Sequence, residues 1–390
     1  MMKRLALFVF FVAVAAACES RNSPGIPEAA SLSPVSPAVS FTPSPSPATP
    51  KPPVVYKATL AAIGDVLIHN TVYQDAADPQ TGGYNFKPML APVREFLLKP
   101  DVLVANQESI TGGKELGLSS YPMFNSPHEV GDALLDAGVD LVTMANNHTL
   151  DKGEKGVLSA TAYWDKLGIP YTGAFRSEED RQTLRALTSQ GISFSFLSYT
   201  YGTNGIAVPQ DKPYLVNLID PERIRQEVEA AKKAADVSVV AMHWGAENQL
   251  AANADQKALA AKLAEWGVDI IIGTHPHVLQ TFEWIGRPDG SRTLVMYSLG
   301  NFLSAQSKLP QLLGGIGQVE VVKTVDNGKT TIALQSPEFI PTYNKYKNWR
   351  TYRVIPLQKL EQEDWKTIGA TWESAKQKLQ AVMPELTIHD

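Results

Sequence analysis

Cysteine is almost missing: among 390 residues Cys18 stands alone. An intrachain disulfide is therefore excluded, and the fold has to be held by core packing and by whatever its side chains can bind. Positive charge is also in short supply, with 35 Lys and Arg against 40 Asp and Glu, a formal net charge of −5 and a pI near 5.9. Such a balance lacks the basic footprint of a nucleic-acid binder. Common catalytic signatures are absent as well. There is no Gly-x-Ser-x-Gly elbow, no complete Gly-x-x-x-x-Gly-Lys-Ser/Thr phosphate loop and no His-Glu-x-x-His helix.

Long apolar runs are confined to the start of the chain. Lys3 and Arg4 precede the stretch Leu5–Ala17, which is too short to span a bilayer as a stable helix and ends in small residues. Residues 1–17 therefore read as a lipoprotein signal, with Ala15-Ala16-Ala17-Cys18 resembling a lipobox whose cysteine carries the lipid. The expected partner of Cys18 is a bacterial membrane, on its extracytoplasmic face. Residues 18–55 follow as a Pro/Ser-rich tether: ten of the 27 prolines fall between Pro24 and Pro53, and such a segment buries too little apolar surface to order itself.

The remainder reads as α/β, with a main body over 56–305 and a C-terminal part over 306–390. Its pattern is repetitive in one respect: apolar strands end in chemistry. Tyr56–Ile63 runs into Gly64-Asp65, with His69 shortly after, and Asp101–Ala105 runs into Asn106-Gln107-Glu108. Val139–Ala145 runs into Asn146-Asn147-His148, with Asp151 three residues on as a partner to orient the imidazole. Val237–Met242 delivers His243 and then Glu247, and Ile270–Thr274 delivers His275-Pro276-His277. Thr293–Leu299 ends in Gly300-Asn301.

Each of these has a plain structural alternative as a turn, a cap or a surface acid. Five of the seven histidines nevertheless lie at carboxyl ends of strands, where α/β sheets place their ligand crevice. The mixed set of carboxylate, amide and imidazole suits two divalent ions of the Mn, Zn or Fe type. Two such ions would activate water for hydrolysis. His128 is expected on the surface, and His389 in a frayed terminus.

Between these strands, spacing predicts helices over Phe86–Leu98, from Ser126-Pro127 to Asp136, over Glu154–Leu167, from Asp220-Pro221 to Ala235, over Ala254–Trp266 and over 362–381. Asp326-Asn327-Gly328 reads as a hairpin turn within the β-rich segment Gly317–Pro341. The sequence helix, Gly-Val-Asp, strand occurs twice, at Gly138-Val139-Asp140 and Gly267-Val268-Asp269, as a structural echo between two halves.

Taken in order, Gly64-Asp65…His69, Asn106-Gln107-Glu108, Asn146-Asn147-His148…Asp151, His243-Trp244-Gly245-Ala246-Glu247, Gly273-Thr274-His275-Pro276-His277 and Leu299-Gly300-Asn301-Phe302 resemble the capsule-synthesis CapA family. That family is associated with poly-γ-glutamate capsule biosynthesis and with the calcineurin-like metallophosphoesterase fold. The resemblance implies a β-sandwich flanked by helices, completed by C-terminal strands and a terminal helix. It implies Asp65 with His277 and His69 at one metal, Asn147, His243 and His275 at a second, and Glu108 bridging. His148, backed by Asp151, would protonate a leaving group, with Glu247 and Asn301 near the substrate. The wider superfamily's Asp-x-His is here Asp-x-x-x-His, and a glutamate stands where that superfamily has aspartate. The implied function is an envelope-anchored metal-dependent hydrolase of a phosphoester or of the polymer. The alternative is a non-catalytic component that binds or exports an anionic polymer beside a poly-γ-glutamate synthase.

Overall fold

One strand serves two cores. Along Val54–Val66 (β1), Leu60 and Ala62 point to one side and Ala61 and Ile63 to the other, as the two-residue period of a strand requires, and all four are buried. A strand buried on both faces has to lie in the middle of a layered structure. The computed structural model describes residues 52–390; the signal segment, Cys18 and nearly all of the tether lie outside the described residues. Among the described residues no helix is long and apolar enough to cross a membrane.

After β1 come the strands Val102–Gln107 (β2), Leu141–Thr143 (β3), Tyr171–Thr172 (β4), Arg185–Ser189 (β5), Ile192–Thr200 (β6), Val237–His243 (β7) and Ile270–Thr274 (β8). Phe282–Gly286 (β9), Arg292–Met296 (β10), Asn301–Leu303 (β11), Leu313–Asp326 (β12), Lys329–Lys347 (β13), Arg350–Pro356 (β14) and Thr387–Ile388 (β15) complete the two large sheets, and Ala77–Asp78 pairs with Gly83–Tyr84 apart from them. The larger sheet runs β14-β13-β12-β1-β2-β3-β4, with β11 pairing β1 and β15 pairing β13. The second runs β9-β10-β8-β7-β6-β5. Strands β1 to β4 are parallel to one another, as are β6, β7, β8 and β10.

The two sheets share a core in which Leu60, Val104 and Val319 of the first meet Phe194, Val239 and Ile272 of the second. Helices cover the outer faces. Glu129–Asp136 (α1) and Gly153–Leu167 (α2) pack on the first sheet through Leu134, Val157 and Trp164. Pro221–Ala234 (α3) and Ala254–Glu265 (α4) pack on the second through Ile224, Val228 and Leu263. Gln362–Val382 (α5) inserts Ile368, Trp372 and Leu379 into the shared core. The result is the helix-flanked β-sandwich the family resemblance implied, with the C-terminal strands extending the sheet that contains β1.

The twofold occurrence of Gly-Val-Asp has a physical counterpart. Asp140 accepts a hydrogen bond from the Leu103 N–H of the neighbouring strand at 2.8 Å, and Asp269 does the same for Ser238 at 2.8 Å. Two further aspartates at strand entrances act alike: Asp101 accepts from Thr59 N–H at 2.8 Å and Asp236 from Ser193 N–H at 2.9 Å. Each sheet therefore has aspartate clamps where its parallel strands begin.

Three local expectations change. The apolar spacing over Phe86–Leu98 yields two short turns, Lys87–Leu90 and Arg94–Leu97, because Pro92 between them has no N–H for a continuous helix. His389 is not frayed: β15 pairs with β13, and its imidazole lies 2.8 Å from Glu338 Oε2. His128 is half-buried, stacked on Tyr163 at 4.4 Å and hydrogen-bonded to the Ser159 hydroxyl. The Asn327-Gly328 hairpin connects β12 to β13 with both residues at positive φ.

Candidate metal centre

The site forms where the carboxyl ends of the two sheets come together, and glycines permit the approach. A Cβ on Gly64 would stand 2.0 Å from the Gly300 carbonyl oxygen, and one on Gly273 2.0 Å from that of Tyr297. With no Cβ at these points, Asp65 pairs in register with Asn301, and the end of β8 lies against the segment after β10. His275 and His277 both have positive φ, at 97° and 58°, a costly conformation for non-glycine residues that the surrounding packing must enforce.

Glu108 is fully buried, and neither of its carboxylate oxygens has a hydrogen-bond partner. Around it stand His243 Nε2 at 3.6 Å and His277 Nε2 at 3.7 Å. On one side, His277 Nδ1 lies 3.1 Å from Asp65 Oδ2 and 3.1 Å from Asn301 Oδ1. The other Asp65 oxygen accepts from the Asn106 amide at 2.8 Å. On the other side, His243 Nε2 lies 2.9 Å from Asn147 Oδ1, while its Nδ1 meets the Thr274 hydroxyl at 2.9 Å. The Asn147 amide nitrogen donates to Asn204 Oδ1, which turns its oxygen toward His243. Three sets of potential ligand atoms converge within 4.8 Å: Asp65, Glu108 and His277; Glu108, His243 and His275; and Glu247, His275 and His277.

These residues fit divalent cations. Ligands about 2.1 Å from an ion lie about 3.0 Å apart at right angles and about 3.4 Å apart in a tetrahedron, close to the separations found here. An unpartnered buried carboxylate is costly unless a cation accompanies it. Protonation shows the same strain. Burial pushes the Glu108 carboxyl well above the usual carboxylate range. Burial also opposes charge on His277, but Glu108 and Asp65 outweigh it and raise the imidazole to about 9. Burial, reinforced by neighbouring histidines, lowers His275 to about 3 and His243 well below the ordinary value, so both are neutral and ready to ligate.

His148 lies to one side. Its Nδ1 donates to Asp151 Oδ2 at 2.7 Å, the same oxygen that receives the Phe124 N–H, and its backbone N–H is fixed by Asn146 Oδ1 at 3.0 Å. It lines a cleft of about 400 Å³ together with His69, Phe124, Asp151, Glu247 and His277. No lysine or arginine is among the residues lining that cleft.

Not every expected residue joins the centre. His69 lines the cleft but belongs to none of the three sets that converge within 4.8 Å: its Nδ1 lies 3.0 Å from the Leu67 carbonyl and 3.2 Å from the Ala305 N–H, of which it can bond one in either tautomer, and its ring meets Phe124 edge-on. The three-residue spacer to Asp65 explains this, since it carries His69 beyond the end of β1 to the start of a short helix. Asn301, expected beside the substrate, is wholly buried and bonded to His277, Gln306 and Gln311, so it orients a ligand. Glu247 is exposed at the rim. Sequence reasoning missed Thr274 and Asn106, although both stand in the quoted motifs, and Tyr201, which packs on His275 at 4.6 Å and His243 at 6.3 Å. The loop holding Tyr201 and Asn204 has no periodicity or motif to mark it.

Similar proteins include the capsule biosynthesis protein CapA of Bacillus anthracis, 29% identical over 187 residues covering 47% of this chain and 44% of that one. The PGA biosynthesis protein CapA of Bacillus subtilis is 33% identical over 175 residues, 44% of each chain. The match thus spans less than half the length of these relatives. Among solved structures, NAD nucleotidase of Haemophilus influenzae is similar at 12% identity and a TM-score of 0.44, covering 86% of this chain and 57% of that one. The calcineurin-like phosphoesterase YfkN of Bacillus subtilis is similar at 14% and 0.43, covering 83% and 99%. The model of the bacterial capsule synthesis protein family PGA_cap matches residues 59–306, the span that contains every residue of the centre, and the chain belongs to that family.

Proposed function

We propose that this protein is a metal-dependent hydrolase of capsule synthesis, acting on a phosphoester or on the capsule polymer. The observation that carries the reading is Glu108, buried with both oxygens unpartnered between two groups of ligand-type atoms. In this reading Asp65, Glu108 and His277 hold one divalent cation of the Mn, Zn or Fe type, and Asn147, His243, His275 and Glu108 hold a second. Such cations lower the pKa of water and withdraw electron density from a phosphoryl or carbonyl oxygen.

The chain's own residues do the rest. Asn301 and Asp65 fix the His277 ring, and Thr274 fixes His243, each leaving the other ring nitrogen toward Glu108. His148, held by Asp151, donates a proton to the leaving group from Nε2. Glu247 at the rim contacts the incoming substrate. The chain acts at the outer face of a bacterial membrane, attached through lipidated Cys18.

The competing reading is a non-catalytic protein that binds or exports poly-γ-glutamate beside a membrane synthase; the cationic hairpin described below favours it. Metal analysis of the full chain from Mn- or Zn-supplemented cells, with turnover of generic phosphodiesters and of poly-γ-glutamate, separates the two. His148→Asn should keep its metal and lose about 10²–10⁴-fold in turnover. His243→Ala should lose metal. A His148→Asn protein that restores capsule fully in a deletion strain, when the parent turns over no substrate, refutes the hydrolase.

A further inference from the structure

The hairpin joining β13 to β14 has a composition unlike the rest of this acidic chain: Lys345-Tyr346-Lys347-Asn348-Trp349-Arg350-Thr351-Tyr352-Arg353. Its register sets cation against cation, Lys345 opposite Arg353 and Lys347 opposite Arg350. Like charges directly opposite each other destabilise a sheet. The two rungs flank a bulge, and a carboxylate relieves only the first of them. Lys345 is neutralised by Asp364 at 2.8 Å. Among the described residues, Lys347, Arg350 and Arg353 have no carboxylate within ion-pair distance, and Arg350 and Arg353 donate only to the backbone carbonyls of Gln74 and Tyr352.

The aromatic residues form a platform. Tyr346 stacks on Trp349 at 5.0 Å with an 18° interplanar angle and packs against Tyr352 at 4.8 Å with the rings tilted by 34°, and Trp349 is 45% exposed. The platform is joined to the candidate metal centre. The Tyr346 hydroxyl donates to the carbonyl of Gln306, a residue that lines the cleft and whose side chain accepts from Asn301. Tyr352 bonds Thr71, two residues after His69.

We propose that this hairpin is the docking strip for a linear polyanion with carboxylate side groups and planar amide links, which it guides into the adjoining cleft. Guanidinium groups take carboxylates in bidentate fashion, and aromatic faces accept both planar amides and cations. The strip supplies the positive charge that the cleft lacks. The inference rests on the cleft being where the polymer is handled.

The test uses the full chain in EDTA, so that bound cations cannot receive carboxylates, and measures binding of labelled poly-γ-glutamate by fluorescence anisotropy. Lys347→Glu/Arg350→Glu should weaken binding at least about tenfold at low salt, and the difference should vanish near 1 M salt, where the screening length falls to about 3 Å. Trp349→Ala, which leaves charge intact, should weaken binding at all salt concentrations. Circular dichroism, and hydrolysis of a small phosphodiester assayed separately with Mn present, should be unchanged in both variants. Polyphosphate is the second probe: equal loss for both polymers marks general anion capture, which overturns the carboxylate assignment. Unchanged polymer binding in both variants overturns the proposal, as does loss of binding to anionic phospholipid vesicles alone, which would make the hairpin a membrane contact. Hairpin-dependent binding without any turnover would sustain the proposal and refute the hydrolase.

Discussion

Replacing Glu108 with glutamine removes a charge and hardly any volume, so its effect should depend almost wholly on whether a cation is present. In chelator the parent already has this side chain buried without partners, and burial already disfavours its ionised form. An amide in the same place is no worse hydrogen-bonded, and above about pH 9, where His277 has lost the charge that Glu108 attracts, Glu108→Gln should melt within about 2 °C of the parent, roughly 1 kcal/mol. With Mn at about a thousand times its dissociation constant, the parent gains about 4 kcal/mol by linkage. Unfolding entropy of about 2.1 cal/mol/K per residue, taken over the 339 described residues, converts this to a rise of about 6 °C. Loss of a shared ligand should weaken affinity by at least about 100-fold, since even the partners that orient ligands contribute 10–100-fold. The variant should then gain only about 2 °C. Differential scanning fluorimetry in EDTA and in MnCl₂ provides all four values. An equal rise in both proteins, or none in the parent, would refute the assignment of Glu108 to a metal.

Asn301→Ala should lower metal affinity about 10–100-fold in a chelator competition without exposing the cleft, because it frees the His277 ring it now holds at 3.1 Å. The metal-free protein should be least stable at the two ends of its pH range. His277 is raised to about 9 in the fold, so its contribution is complete below the unfolded value of about 6.5 and is lost as pH rises through 9. His69, His275 and His243 are lowered, to about 4, to about 3 and well below normal, so unfolding takes up protons below about 6.5 and stability falls as pH drops toward 3. Melting temperature against pH in EDTA checks both limbs, and added Mn should flatten the alkaline one, since ligation replaces the His277 proton.

Much of the centre could be read from the sequence because β1, β2, β7 and β8 are apolar runs that stop at a ligand-type residue, and burial of the run dictates where the next side chain emerges. Glu108, His243 and His275 are found together for that reason. The second sheet was another matter. Periodicity identifies strands and says nothing of which sheet they join, and only the family resemblance implied a sandwich. His69 lies in the cleft wall and outside the three tight sets, because distance along the chain after a strand end is no guide to direction. Asn301 misled because a buried amide and a substrate-facing amide look alike in sequence; the difference lies in Gly64 and Gly300, which let β1 and β11 approach until Asn301 is sealed against His277. The hairpin at Lys345–Arg353 was equally visible as letters, but its cations gained significance only from the register that opposes them and from the Tyr346 bond to Gln306.

The aspartate clamps at the strand entrances work as a ruler. Asp101 precedes Glu108 by seven residues, Asp140 precedes Asn147 by seven and Asp236 precedes His243 by seven, while Asp269 precedes His275 by six. Along β2 and β7, at about 3.3 Å per residue, the clamp lies about 23 Å from the residue at the far end, whereas β3 is only three residues long and the chain turns before Asn147. Because a one-residue slip turns every side chain to the opposite face, whatever fixes the zero of that scale also fixes which atoms meet at its far end. The precision of the centre is thus set on the opposite edge of the sheets, in carboxylates that touch neither cation nor substrate. Asp140→Ala would be expected to leave the protein folded and its ligands all present, yet with Asn147 out of step with His243.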